Sequence, residues 1–150
     1  MFEKTTFSNG FRVLTSVNPN VRSATVAMFV SAGSRYESDE LGGAFHFIEH
    51  MCFKGTNRMP TSQEISETIE GVGGIMNAST DREETIFWIK VASTHLPLAL
   101  HLLVDMLGDS IFDVNEIEKE RQVILEELAL SLIHISEPTR RYAISYAVFC

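Results

Sequence analysis

The sequence predicts an α+β domain: a mixed, largely antiparallel sheet with helices packed on one face. Three observations lead there. Short β-leaning runs come in pairs around turn residues, and other stretches repeat their apolar residues at helical spacing. The composition of the 150 residues, 45% hydrophobic and 21% charged, is that of one soluble globular domain with its own core.

Residues 2–7 and 11–17 flank Ser8-Asn9-Gly10, where Asn-Gly supplies the positive backbone angles of a tight turn, so an opening hairpin is expected. Residues 24–30 are apolar and partly β-branched and are followed by Gly33, which predicts a third, buried strand and then a polar loop over residues 34–40. Gly42-Gly43 precedes a segment, residues 44–53, that is apolar on most sides, as in a helix enclosed within a protein. After Pro60, Thr61-Ser62-Gln63-Glu64 has the spacing of a capping box, and Ile65, Ile69 and Val72 mark one face of the helix it opens. Gly71, Gly73 and Gly74 stop that helix or let the backbone turn sharply and approach another chain. Residues 75–80 and 85–91 are expected to pair through Asp81-Arg82-Glu83-Glu84. Leu96, Leu100, Leu103 and Leu107 recur at helical spacing after a Thr94 cap, and Asp113 with Glu116 opens a last helix to about Ala129.

A formal net charge of −8 opposes binding to phosphate backbones and anionic membrane surfaces, so neither nucleic acid nor membrane is an expected partner. The first residues lack a basic start followed by an apolar stretch, and no run is long enough to span a bilayer. A cytoplasmic location is expected; a removed presequence would instead allow the mitochondrial matrix. Cys52 and Cys150 form no spaced pair, and Cys52 is read as a small buried apolar residue. His95 and His101 are read as structural, and Phe87 and Trp88 as core or half-buried strand residues.

The last stretch is unlike the rest. Leu130-Ser131-Leu132-Ile133-His134-Ile135-Ser136-Glu137-Pro138-Thr139-Arg140 resembles the in-frame translation of a transposon-end adapter used to prepare sequencing libraries, and Ile144-Ser145-Tyr146-Ala147-Val148-Phe149-Cys150 resembles the translated outer primer. Residues 130–150 are therefore set aside as a non-native tail. Residues 1–129 are taken as a truncated domain whose natural reading frame is expected to continue.

The chemistry centres on His46-Phe47-Ile48-Glu49-His50. Histidines four apart on a helix project their imidazoles from one face, one turn apart, so that two nitrogens can share one metal ion. Glu49 falls beside that metal as a base for an activated water. H-x-x-E-H is the inverted counterpart of H-E-x-x-H among zinc peptidase motifs. A catalytic zinc takes three protein ligands and leaves one position open. The last helix offers the third. Its apolar stripe is Val114, Ile117, Ile124 and Leu128, and Glu120 and Glu127, seven residues apart and only about 20° around the axis, lie on its edge. Glu118 and Glu126 point away. Carboxylates against a core need a compensating cation or donors, and a metal would serve; pairing with Arg121 or a backbone donor is the alternative.

Gly43-Ala44-Phe45-His46-Phe47-Ile48-Glu49-His50-Met51-Cys52-Phe53-Lys54-Gly55-Thr56 resembles the zinc-helix segment of the pitrilysin and insulinase family, which includes mitochondrial processing peptidase. Gly73-Gly74-Ile75-Met76-Asn77-Ala78-Ser79-Thr80 resembles its substrate-pairing strand, and Glu120-Arg121-Gln122-Val123-Ile124-Leu125-Glu126-Glu127 its third-ligand helix, in the same order and at a matching separation. The resemblance implies a zinc endopeptidase acting on extended polypeptides. His46, His50 and Glu127 would bind one Zn2+, Glu49 would be the base, and Glu120 the carboxylate supporting the ligands. Asn77 and Ala78 would hold the substrate backbone. It also implies a second pitrilysin-type half, from the missing C-terminal part or another subunit.

In that reading zinc polarises the scissile carbonyl and acidifies water, while Glu49 moves the proton from water to the leaving amine. Substrate would add as a strand to the edge formed by residues 75–80. The alternatives are a catalytically silent structural or substrate-presenting subunit of the same family, and a zinc-stabilised binding domain without hydrolysis. The truncated chain itself is expected to bind zinc weakly and cleave poorly.

Overall fold

The structure is a computed structural model that describes residues 2–134, with side chains through Leu130. Most of the stretch expected to be foreign, including Cys150, lies outside the described residues. The elements follow the predicted order: β1 (Phe2–Thr6), β2 (Arg12–Ser16), β3 (Ser23–Val30), α1 (Ala44–Met51), α2 (Ser62–Glu70), β4 (Ile75–Thr80), β5 (Thr85–Ala92), α3 (Leu96–Gly108) and α4 (Val114–His134). Among the described residues, no helix is long and apolar enough to cross a membrane.

β1 and β2 form an antiparallel hairpin of their own, Phe2 opposite Ser16 and Thr6 opposite Arg12. Its turn differs from the predicted one. Only Gly10 has a positive φ, 85°. Gly10 N–H donates to Phe7 O, Phe7 N–H to Phe11 O, and Phe11 N–H to the Asn9 side chain. Asn9 therefore closes the turn with its amide oxygen, and Gly10 alone takes the left-handed conformation.

The second sheet is antiparallel with order β3-β5-β4. β5 is central, and its alternate residues Thr85, Phe87, Ile89 and Val91 are buried, as period two dictates for a strand with one covered face. Against that face pack Ile65 and Ile69 from α2 and Ala99, Leu102, Leu103 and Met106 from α3. Helices do lie on one face of this sheet. The other face keeps Phe29 67% exposed. β3 is thus a half-buried edge strand, not the buried strand expected: Val26 and Met28 join the core, while Ala27 and Phe29 point away from it.

The capping box of α2 forms as its spacing predicts, Thr61 Oγ1 accepting from Glu64 N and the Glu64 carboxylate from Thr61 N. After it, Gly73 has φ +71°, and a Cβ on Gly74 would lie 2.7 Å from Val91 and 2.8 Å from Ile69. The glycines turn the chain and let it pass against β5, a strand of the same chain. Thr94 does not cap α3. It lies in a short 3-10 turn, Ser93–His95, and α3 follows without a side-chain cap. The buried side of α3 is rotated from the leucine stripe, with Leu100 and His101 exposed. Asp113 does cap α4, its Oδ1 accepting from Asn115 N and Glu116 N. α4 runs on to His134, past the expected end near Ala129.

Candidate metal centre

α1 is only eight residues long, and its N-cap, Gly43, has no side chain to offer. The Glu37 carboxylate supplies the cap from the preceding loop, accepting from Gly43 N and Phe45 N at 2.7 Å each. The exposed N–H groups and helix dipole at that end favour an anion. This fixes the first turn, which carries His46, while the second turn carries the buried Glu49, His50 and Met51.

The predicted geometry forms. His46 Nε2 and His50 Nε2 lie 3.0 Å apart. Glu127, from α4, brings Oε2 to 3.9 Å from His50 Nε2. Ligand atoms of His46, His50 and Glu127 all lie within 4.8 Å of one another. Two donors of a tetrahedral zinc site, each about 2.0–2.1 Å from the ion, stand roughly 3.3 Å apart, a spacing that the observed distances bracket. Two imidazoles and a carboxylate, with the fourth side open, are also the donor chemistry zinc takes. The residues therefore fit the ion.

Glu120, one of the two glutamates expected to face inward, is only 2% exposed. Its Oε1 lies 2.7 Å from His50 Nδ1, and its Oε2 2.5 Å from Lys54 Nζ. Burial works to raise its carboxyl, but the hydrogen bonds to Lys54 and His50, with Lys54's charge, outweigh this and hold it below the usual carboxylate range. An ionised Glu120 only accepts, so His50 carries its hydrogen on Nδ1 and turns a lone pair on Nε2 toward His46 and Glu127. Burial, then the neighbouring His50, lower the pKa of His46 and favour its neutral, metal-binding form. Arg121, the alternative partner for these glutamates, pairs with Glu118 instead.

Glu49, 6% exposed, accepts at Oε2 from Thr80 Oγ1 at 2.5 Å. Thr80 in turn touches Thr85 Oγ1 at 3.1 Å, and Thr85 donates to Ala32 O at 2.7 Å. The base candidate is thus tied to the end of β4. A largely apolar cavity of about 320 Å³ adjoins Glu49, lined among others by Phe45, Ile48, Phe87 and Phe112. Cys52 borders it, buried as expected, and burial raises its thiol pKa.

Asn77 and Ala78 lie on β4, which pairs only with β5 among the described residues. Asp81 N–H donates to Glu84 O, and in this register Ile75, Asn77 and Ser79 exchange bonds with β5. Met76, Ala78 and Thr80 then turn their peptide groups to the open edge. The Ala78 N–H meets the Asn77 amide oxygen there at 2.8 Å. The sequence reading missed three contributors: Lys54, Thr80 and Glu37. The partners of Lys54 and Thr80 are distant in sequence, and only an acid shortly before an uncapped helix hinted at Glu37.

The model of the insulinase family, peptidase family M16, matches residues 12–132. A probable mitochondrial-processing peptidase subunit beta of Arabidopsis thaliana is 47% identical over 124 residues, 83% of this chain and 23% of that protein. The uncharacterized zinc protease YmxG of Bacillus subtilis is 41% identical over 130 residues, 87% of this chain and 32% of that protein. Among solved structures, a protease from Helicobacter pylori superposes with a TM-score of 0.80 at 30% identity, over 85% of this chain and 30% of that one. Pitrilysin gives 0.78 at 28%, over 87% of this chain and 14% of its own. The chain thus spans about a quarter to a third of the length of these two curated relatives. With the family model covering most of its length and its fold matched in pitrilysin, the chain belongs to the insulinase family of peptidases, M16.

Proposed function

We propose that this chain carries the metal-binding part of a zinc-dependent endopeptidase that hydrolyses extended polypeptides. The observation that carries it is the convergence of His46 and His50 with Glu127 from a distant helix. His46, His50 and Glu127 would hold one Zn2+, and Glu120 orients His50 from behind. When bound, zinc supplies Lewis-acid polarisation of the carbonyl and acidifies water at its open position. Glu49 takes the proton from the attacking water and delivers it to the leaving amine, with Thr80 holding one carboxylate oxygen so that the other faces the reaction.

Substrate joins the open edge of β4 as an added strand, with main-chain bonds that depend little on its sequence. Asn77 covers the outward Ala78 N–H until a substrate carbonyl replaces it. The cavity beside Glu49 suits an apolar side chain next to the cut. A second half, from the rest of a longer chain or from a partner, completes the enzyme; the beta-subunit name of the Arabidopsis relative is in keeping with a partner. The alternative is a catalytically silent structural or substrate-presenting subunit of the same family; the presence of every motif residue in the sequence supports the enzyme reading.

Glu49→Gln in the full-length natural protein tests this reading. Cleavage of a quenched peptide should fall by about 10²–10⁴-fold, the range of a general base, with bound zinc unchanged. Retained turnover would overturn the assignment of Glu49.

A further inference from the structure

Lys54 lies just beyond α1, on a turn where its N–H donates to Met51 O at 3.1 Å. The backbone after it is pinned. Gly55 O accepts from Ile111 N, Thr56 N donates to Met59 O, and the fully buried Thr56 hydroxyl accepts from Met59 N. A Cβ on Gly55 would lie 2.4 Å from Pro60 O, so this path suits glycine. From that anchor the Lys54 stem is largely covered, 21% exposed, and Nζ reaches Glu120 Oε2 at 2.5 Å. The other oxygen of the same carboxylate holds His50 Nδ1 at 2.7 Å.

We propose that Lys54 is a positioning residue of the metal centre, locking the Glu120 carboxylate so that it fixes the His50 ring with Nε2 toward His46 and Glu127. This rests on the reading of those three residues as zinc ligands. A carboxylate with one partner can swing about its last bond. Held at one oxygen by His50 on α1 and at the other by Lys54 on the turn just beyond it, it cannot swing without breaking a charged, largely buried contact. Lys54 acts on the centre through Glu120, whose carboxylate it shares with His50.

Zinc affinity of the chain, measured by competition with a chromophoric chelator, tests the proposal. Lys54→Met should weaken binding about 10–100-fold, the usual cost of losing a group that orients a ligand, and Lys54→Arg should recover most of it. In a Glu120→Gln background, Lys54→Met should change affinity less than about twofold, because the path through Glu120 is already broken. Unchanged affinity in Lys54→Met, or losses that simply add in the double variant, would overturn the proposal. If Lys54→Met does not fold, Lys54→Gln is judged by the same criteria. His50→Ala separates the two levels. If His50→Ala binds zinc as the unaltered chain does, the metal-centre reading fails and takes this inference with it; if only His50→Ala loses zinc and Lys54→Met does not, the role of Lys54 alone is wrong.

Discussion

The two halves of the site are built differently. The α1 half packs His46, Glu49 and His50 into five consecutive residues of a short helix, with Glu49 and His50 buried and each tied to a second element. The α4 half comes from a 21-residue helix in which, among the described side chains, Glu120 and Ile124 are the buried ones, with Val114 72% and Leu128 52% exposed. Glu127 lies nearer the surface, its side chain 37% exposed. In the first half the helical repeat sets the geometry. In the second it depends on how α4 lies against α1.

Deleting a ligand from each half gives the largest effects. His50→Ala should reduce zinc affinity by more than about 100-fold, beyond the cost of losing a supporting group, and it also strips Glu120 of its imidazole partner. Glu127→Ala should weaken zinc binding by a smaller factor, since Glu127 is partly exposed and water can take its place. Calorimetric zinc titration of both variants would check this order. Unaltered binding in Glu127→Ala would break the comparison outright, because α4 would then have no ligand in the site.

This contrast also explains what could be read in the sequence. The spacing of His46, Glu49 and His50 predicts a shared helix face, and that face forms. For α4, the seven-residue repeat correctly turns Glu120 and Glu127 to the same side and Glu118 and Glu126 outward. The stripe of Val114, Ile117, Ile124 and Leu128 marks one side of the helix, but of these four only Ile124 is buried. Periodicity says which residues share a face but not how much of that face finds a neighbour. Lys54 was illegible for a related reason: a lysine after an apolar helix reads as a surface charge until tertiary packing places Glu120 against it.

A smaller effect separates the two glutamates of α4. In the metal-free chain, Glu120→Ala should cost about 1–3 kcal/mol, because it leaves His50 Nδ1 and the Lys54 ammonium without their acceptor in a buried setting. Glu127→Ala should stay within about 0.5 kcal/mol, as for a partly exposed group. Urea unfolding with zinc chelated would measure both. Equal losses would mean that the Glu127 end of α4 is as firmly held as the Glu120 end.

The smallest effect concerns the two helix starts, where the same device is made locally in one half and from a distance in the other. α4 is capped by its own preceding residue, Asp113. α1 is capped by Glu37, across a loop, because Gly43 has nothing to offer. Asp113→Ala and Glu37→Ala should each cost about 1 kcal/mol, the usual value of a cap. Their consequences for zinc should differ. His46 stands in the first turn of α1, so fraying there moves a ligand, and Glu37→Ala should lower zinc affinity a few-fold. Asp113 lies two turns before Glu120 and farther still from Glu127, so Asp113→Ala should leave affinity unchanged while lowering stability. Were both variants to lose zinc equally, the start of α4 would be shaping the centre as directly as the start of α1, and the division into a fixed half and a conditional half would have to be abandoned.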